Sequence, residues 1–273
     1  MVLIAWFSAP GQLPRVNHLL QDTLAWLFPS EADPEITIIA IDGRSLEAIG
    51  RWPWPRDKLA LLTQELFERQ NIAVLGFDVV FAEPDHSSGL NHLRQLAEKQ
   101  LAHIPEYSIE LEKLSAQLDH DQLFANAIAN RPVVLGHYFT SDRDGRQSGQ
   151  LPPPVMTRED MRGTASGFIG WTGYGASIPL LAKAARTGGY FNAITDSDGV
   201  VRAVPLVSEF GGAYYQSLSL AIFRTLMGDT QLKPGFPASR FLPKGYQGIE
   251  SIVIQQGDKS LSLPVDHRVG SLV

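Results

Sequence analysis

Two aspartates stand at or near the ends of short apolar segments. Asp42 directly follows the run at residues 36–41, and Asp78 lies inside the run at residues 73–81. Ligands gather where the carboxyl ends of parallel strands meet, so we expect Asp42 and Asp78 to face each other there. Together with Asp85 they could hold a hard cation through oxygen ligands, or they could bind basic groups from the loops. The three aspartates are therefore metal candidates, and the sequence names no particular metal.

The same acids also have a structural interpretation, which we favour. In it, Asp42 pairs with Arg56 and Asp78 caps the turn that follows it, so that a buried polar network fixes the loops. Such networks perturb acidic groups much as ligand sites do. A cation beside the acids would offset the cost of burying them. We therefore predict that Arg56 lies within salt-bridge distance of Asp42 or Asp78.

Aromatic residues and one histidine complete the set of candidate ligand-binding side chains. Trp52 and Trp54 are each followed by a proline, which makes a stiff loop. Their rings could stack on a small ligand or a partner, but a role in covering the strand ends is favoured. His137 ends a third apolar run and could join Asp42 and Asp78, although a single histidine at a strand end is usually satisfied by hydrogen bonds.

No catalytic residue is predicted from these patterns. The sequence has no Gly-x-Ser-x-Gly elbow, no Walker loop and no His-Glu-x-x-His helix. Residues 196–199 (Asp-Ser-Asp-Gly) are similar to the start of a calcium loop. That loop would need glycine and glutamate where Val201 and Val207 stand, so a hairpin turn with a positive φ at Gly199 is the simpler interpretation.

Composition excludes several further classes of function. The formal charge is -6, and the 23 basic residues are spread along the chain, which argues against nucleic-acid binding. The absence of cysteine excludes disulfides, thiolate zinc sites, iron–sulfur clusters and cysteine nucleophiles within this sequence. No cofactor is identified.

The elements that position these residues follow from hydrophobic periodicity. Short apolar runs at residues 36–41, 73–77 and 132–136 alternate with helical patterns. This predicts an α/β fold of three layers, with a mainly parallel central sheet and helices on both faces. Turn-forming clusters at residues 195–199 and 257–258 predict C-terminal β-hairpins.

The N-terminal region has two further features. Residues 2–7 are apolar but far shorter than the roughly 20 residues of a spanning helix, so they are either the end of a membrane helix or a buried strand. Residues 16–27 carry an apolar stripe at helical spacing. We predict a helix there that lies near the C-terminal tail.

Several segments of the chain follow a specific order, and the most specific of them is the Trp-Pro-Trp-Pro-Arg string at residues 52–56. The segments are residues 38–42, 45–46, 50–56, 76–85, 196–202 and 215–218. Together they resemble the type-two CHASE sensory domains of cyclases and histidine kinases.

The resemblance implies an extracytoplasmic sensor or relay domain in a membrane-bound bacterial signalling protein, with periplasmic or extracellular localisation. Residues 1–12 would then be the remnant of an N-terminal membrane helix with its linker, and residues 13–273 a single sensory domain. The implied partners are an unknown small ligand or ion, the flanking membrane helices with a kinase or cyclase output domain, and a second copy in a homodimer. Two alternatives stay open: a metal-dependent hydrolase using Asp42, Asp78 and His137, and a ligand-free dimerisation spacer.

Overall fold

A computed structural model describes residues 22–23, 26–28, 33–161, 168–195, 198–228, 230–236, 249–265 and 270–272. The chain divides into two units, Met1–Trp52 and Pro53–Val273, which we describe separately. The predicted remnant at residues 1–12 lies outside the described residues, as does most of the predicted helix at residues 16–27. Residues 22, 23, 26 and 27 of that segment are described and are helical. The single-domain boundary at residue 13 and the position of the helix beside the C-terminal tail stay predictions.

The described part of the first unit contains the short helix α1 (Gly43–Ile49), which begins after Asp42. The strand predicted at residues 36–41 is wrong, because these residues belong to no helix or strand. Their apolar, β-branched composition favours a strand only when a neighbouring chain satisfies the backbone groups. In the described hydrogen bonds, the amide of Ile36 instead closes a local turn onto the carbonyl of Asp33 at 3.0 Å.

The second unit contains the remaining described helices and all of the described strands. Its helices are α2 (Arg56–Glu68), α3 (Leu90–Glu98), α4 (Pro105–Leu118), α5 (His120–Ile128), α6 (Pro179–Ala184) and α7 (Leu218–Met227). Its strands are β1 (Leu75–Phe77), β2 (Val133–Thr140), β3 (Gln147–Ser148), β4 (Met156–Thr157), β5 (Gly170–Trp171), β6 (Gly173–Gly175), β7 (Thr187–Tyr190), β8 (Ala203–Pro205), β9 (Val207–Phe210), β10 (Ala213–Gln216), β11 (Gln231–Gly235), β12 (Ser251–Gln256), β13 (Lys259–Pro264) and β14 (Gly270–Leu272).

The central sheet is built around β2. Its first half pairs in parallel with β1 on one side and with β7 on the other, and its second half pairs antiparallel with β6, which β3 joins in parallel. Leu75 lies opposite Val133, and Gly136 lies opposite Gly189. The prediction of parallel strands at residues 73–77 and 132–136 is confirmed, as is the α/β class.

Helices cover both faces of the parallel strands. Phe77, Val133 and Leu135 point to a core that also contains side chains of α2, α5 and α6. On the opposite face α7 packs so closely on β7 that a Cβ added at Gly189 would lie 2.6 Å from the Cα of Leu218. Only glycine permits that backbone approach.

The C-terminal half forms a second core between two sheets, one antiparallel and the other antiparallel except for the parallel pair of β5 and β9. The order β4-β10-β9-β5 makes one sheet and β11-β12-β13 makes the other. The hairpin predicted around residues 257–258 is confirmed as β12 and β13, with Gly257 at φ 56°. The hairpin predicted across residues 195–199 is wrong, because β7 is taken into the parallel sheet and β8 pairs with β14. A hairpin turns instead between β9 and β10, at Gly211 and Gly212, both with positive φ.

Candidate functional site

Arg56 lies at the first position of α2 with its side chain buried. Its guanidinium pairs with the carboxylate of Asp121, at the start of α5, and donates to the main-chain carbonyl of Glu83. The guanidinium carbon also lies 5.4 Å from the centre of the Phe81 ring, a cation–π distance. One side chain therefore connects the start of α2, the loop after β1 and the start of α5.

Asp85 is the second centre of the same network. Its carboxylate accepts from the amides of Arg56 and Ser87, each at 2.7 Å, and lies 3.4 Å from Nδ1 of His120. Its own amide donates to Oδ2 of Asp121 at 3.0 Å. Burial alone would raise the pKa of Asp85, but the hydrogen bonds from Ser87 and Arg56, together with His120, bring the pKa below its usual value. The ionised form of Asp85 is thus stabilised by its neighbours.

Of the two acids predicted to lie near Arg56, Asp42 and Asp78, the structure shows no ion pair with Asp78 in the second unit, where the acid that Arg56 contacts is Asp121. Asp78 is exposed. The N-cap of α5 is Asp119, which accepts from the amide of Gln122 at 3.1 Å. Asp121 does not cap this helix and is available to pair with Arg56. The network satisfies its charges internally, as a structural brace does.

Three further candidates, Asp42, Trp52 and Trp54, are described within the unit to which each belongs. Asp42, in the first unit, is exposed and accepts from the amide and hydroxyl of Ser45, at 2.9 and 2.8 Å. The hydrogen bond that the backbone amide of Ser45 donates to Asp42 is the main reason that the pKa of Asp42 is lowered. Trp52 ends the first unit and is 36% exposed, whereas Trp54 is buried in the core of the second unit. The relation of Asp42 and Trp52 to the second unit stays a prediction.

His137 lies in the interior, midway along β2. It is 2% exposed and is surrounded by the rings of Phe139, Tyr190 and Tyr215. Burial lowers its pKa to about 3, so the imidazole is neutral at ordinary pH. Its Nε2 has no hydrogen-bond partner in the described part of the chain. An enclosed aromatic setting of this kind fits a packed core histidine.

Within the ranges that the structure describes, no group of three or more His, Asp or Glu side chains is arranged to hold a metal ion. Asp78 and Asp85, the metal candidates in the second unit, accordingly form no such cluster there.

A polar cavity of about 410 Å³ opens elsewhere in the second unit. It lies between α7, the start of β7 and the turn after β12, and its walls include Arg186, Gln216, Arg224 and Gln255. Sequence reasoning missed it. The available signal was Arg224, the single charged residue of the largely apolar helix α7.

The second unit thus combines an α/β fold with a polar cavity beside α7 and a separate ion-pair network around Arg56. The family model of the CHASE2 domain matches residues 1–273, and the chain therefore belongs to the CHASE2 domain family. CHASE2 domains are extracellular sensory domains of signalling proteins and are not catalytic.

Other comparisons add no relative. No curated protein and no solved structure matches the chain. In the described residues, no helix combines the length and apolarity needed to cross a membrane.

Proposed function

We propose that this chain is the extracytoplasmic sensor or relay domain of a membrane-bound bacterial signalling protein, placed in the periplasm or outside the cell. The family match over residues 1–273 carries the proposal. In this account the domain has two arrangements of different stability, and a stimulus shifts the population between them. The shift would then move flanking membrane helices that lead to a kinase or cyclase.

The internal organisation of the second unit supports a relay. The parallel sheet and the C-terminal sheets have separate cores, and α7 contributes to both regions: Leu218 packs on β7 and Leu220 lies in the C-terminal core. An element shared by two packed cores can pass a shift from one to the other.

The metal-dependent hydrolase that the sequence left open receives no support from the geometry. His137 is enclosed among aromatic rings and Asp78 is exposed. The ligand-free dimerisation spacer is distinguished from a sensor by replacing the domain in the full-length protein.

The proposal is tested in the full-length gene product, inserted in its membrane. Residues 53–265 are replaced by a flexible linker, and the kinase or cyclase activity of the attached output domain is compared with that of the wild type. We expect the activity to lose its dependence on extracellular conditions. An output that responds identically in both proteins, at equal amounts in the membrane, would contradict a sensory role. A wild-type output that is constant while the replacement disrupts dimers would favour the spacer.

A further inference from the structure

We propose that the cavity beside α7 binds a small organic carboxylate, with Arg224 as its principal anchor. Nothing in the family assignment specifies a ligand. The binding site is inferred from the geometry of the cavity. That binding acts as a signal rests on the proposed sensory function.

Arg224 has more donors than the described residues accept from. Its Nε donates to Oγ1 of Thr230 at 3.0 Å, one terminal nitrogen donates to Oε1 of Gln216 at 2.5 Å, and the other donates to the carbonyl of Thr230 at 2.7 Å. A guanidinium carries five N–H groups in a fixed fork. Two of them are therefore left without an acceptor among the described residues. Because the three existing bonds hold the fork rigidly, the remaining donors are preorganised.

The charge of Arg224 is also uncompensated in the described structure. The side chain is half-buried, and burial lowers its pKa, yet arginine stays protonated in proteins. No described Asp or Glu lies within ion-pair distance of it, and the described residues that line the cavity include neither type. A partly buried cation is normally paired. An anion in the cavity would supply the missing charge.

The rest of the wall adds hydrogen-bond donors. Oγ1 of Thr187 accepts from Nε2 of Gln216 at 3.4 Å and Oγ1 of Thr230 accepts from Arg224, so each hydroxyl keeps its own hydrogen to donate. Arg186 brings a second cation to the same wall. A surplus of donors around a cation matches a carboxylate, whose oxygens only accept.

The size of the cavity favours an organic anion over a bare inorganic one. Its 410 Å³ falls in the range of about 300–1,000 Å³ that is common for organic ligands, and one phosphate would leave much of that space to water. The cavity also touches α7, β7 and the β12–β13 turn at Gly257. A ligand there would tie the parallel sheet to the C-terminal sheet.

Calorimetric titration of the whole 273-residue chain tests the assignment. The probes are acetate, succinate and citrate, with inorganic phosphate and the neutral succinamide as comparison arms. We expect saturable binding of at least one carboxylate and none of succinamide. Binding of phosphate alone would overturn the organic-carboxylate assignment, and no saturable binding of any carboxylate would overturn the site.

Variants locate the binding within the chain. Arg224→Lys keeps the charge but removes the fork, and should weaken carboxylate binding about tenfold or more. Arg186→Gln, at an exposed position, should weaken it several-fold without affecting folding. Arg143→Gln, in an exposed loop away from the cavity, is the matched control. Equal affinities in all three variants would place the binding elsewhere and overturn the proposal.

The two proposals fail separately. If carboxylates do not bind but the linker replacement in the full-length protein abolishes regulation, the sensory function stands and the ligand assignment falls. If carboxylates bind with the expected variant pattern and the replacement changes nothing, the cavity is a binding site in a domain without a sensory role.

Discussion

Arg56 shows how one buried cation can organise several loops. Its partner Asp121 and the carbonyl of Glu83 belong to segments far from it in the chain, separated by 65 and 27 positions. Removing the guanidinium leaves the Asp121 carboxylate in a partly buried place without its counter-charge, which is the costly way to break a buried pair. The network should therefore matter for stability and not for any activity.

We predict that Arg56→Ala lowers the free energy of unfolding by about 3 kcal/mol, since both partners are mostly buried. Arg69→Ala is the matched control. It breaks an exposed pair with Glu65 on the same helix and should cost less than about 0.5 kcal/mol. Urea unfolding followed by circular dichroism measures both. Equal, small losses in the two variants would show that the Arg56 network is not a structural brace.

His137 should make stability depend on pH. Its pKa is lowered by burial from 6.5 to about 3 in the folded state, so the unfolded chain takes up a proton that the folded chain refuses. The contribution of the neutral, buried His137 to the free energy of unfolding is fully present above pH 6.5 and is lost as pH falls toward 3. The expected slope in that window is about 1.4 kcal/mol per pH unit.

The His137→Leu variant isolates this contribution, because leucine is of similar size and does not titrate. Urea unfolding of both proteins is measured at several values between about pH 7 and about pH 4. The stability of the wild type should fall more steeply than that of the variant. Parallel plots of stability against pH for the two proteins would mean that His137 takes up its proton at the same pH in the folded and the unfolded chain.

At the scale of the elements, the contact between α7 and β7 depends on Gly189. A Cβ there would meet the carbonyl oxygen of Ser217 at 2.6 Å and the amide nitrogen of Leu218 at 2.7 Å, both backbone atoms that cannot turn aside. We predict that Gly189→Ala lowers the free energy of unfolding by about 1–3 kcal/mol.

Gly170→Ala is the control for this substitution. Its nearest contact would be the flexible end of Glu209 at 3.2 Å, and the unfolding midpoint should barely change. If Gly189→Ala is equally harmless in urea unfolding, α7 does not pack on β7 as described.

Local patterns predicted some elements well and others poorly, for a physical reason. The runs that became β1 and β2 are flanked by helices that bury them. Residues 36–41 have the same composition but pair with nothing in the described structure, because pairing depends on distant segments. The same limit applies to the site: Arg56 was recognised as a buried cation, but its partner Asp121 was not. The cavity was missed because β7, α7 and β12 come together only in the folded chain.

At the scale of the whole molecule, the chain belongs to a family of extracellular sensory domains. The homodimer implied by the resemblance stays a prediction, as do the membrane helices. The side of the membrane on which the domain lies is open to direct measurement, because the chain contains no cysteine. A single introduced thiol can therefore be compared with the unmodified full-length protein.

The decisive measurement is thiol labelling of intact cells with a membrane-impermeant maleimide. Lys113→Cys places the thiol on an exposed helical position, 65% accessible in the wild type. Ala125→Cys, at a buried position of α5, is the control for native folding. The account predicts that the thiol at position 113 is labelled before the cells are opened, while the one at position 125 is labelled only after denaturation. Labelling of position 113 only after lysis would place the domain in the cytoplasm and contradict the extracellular sensor.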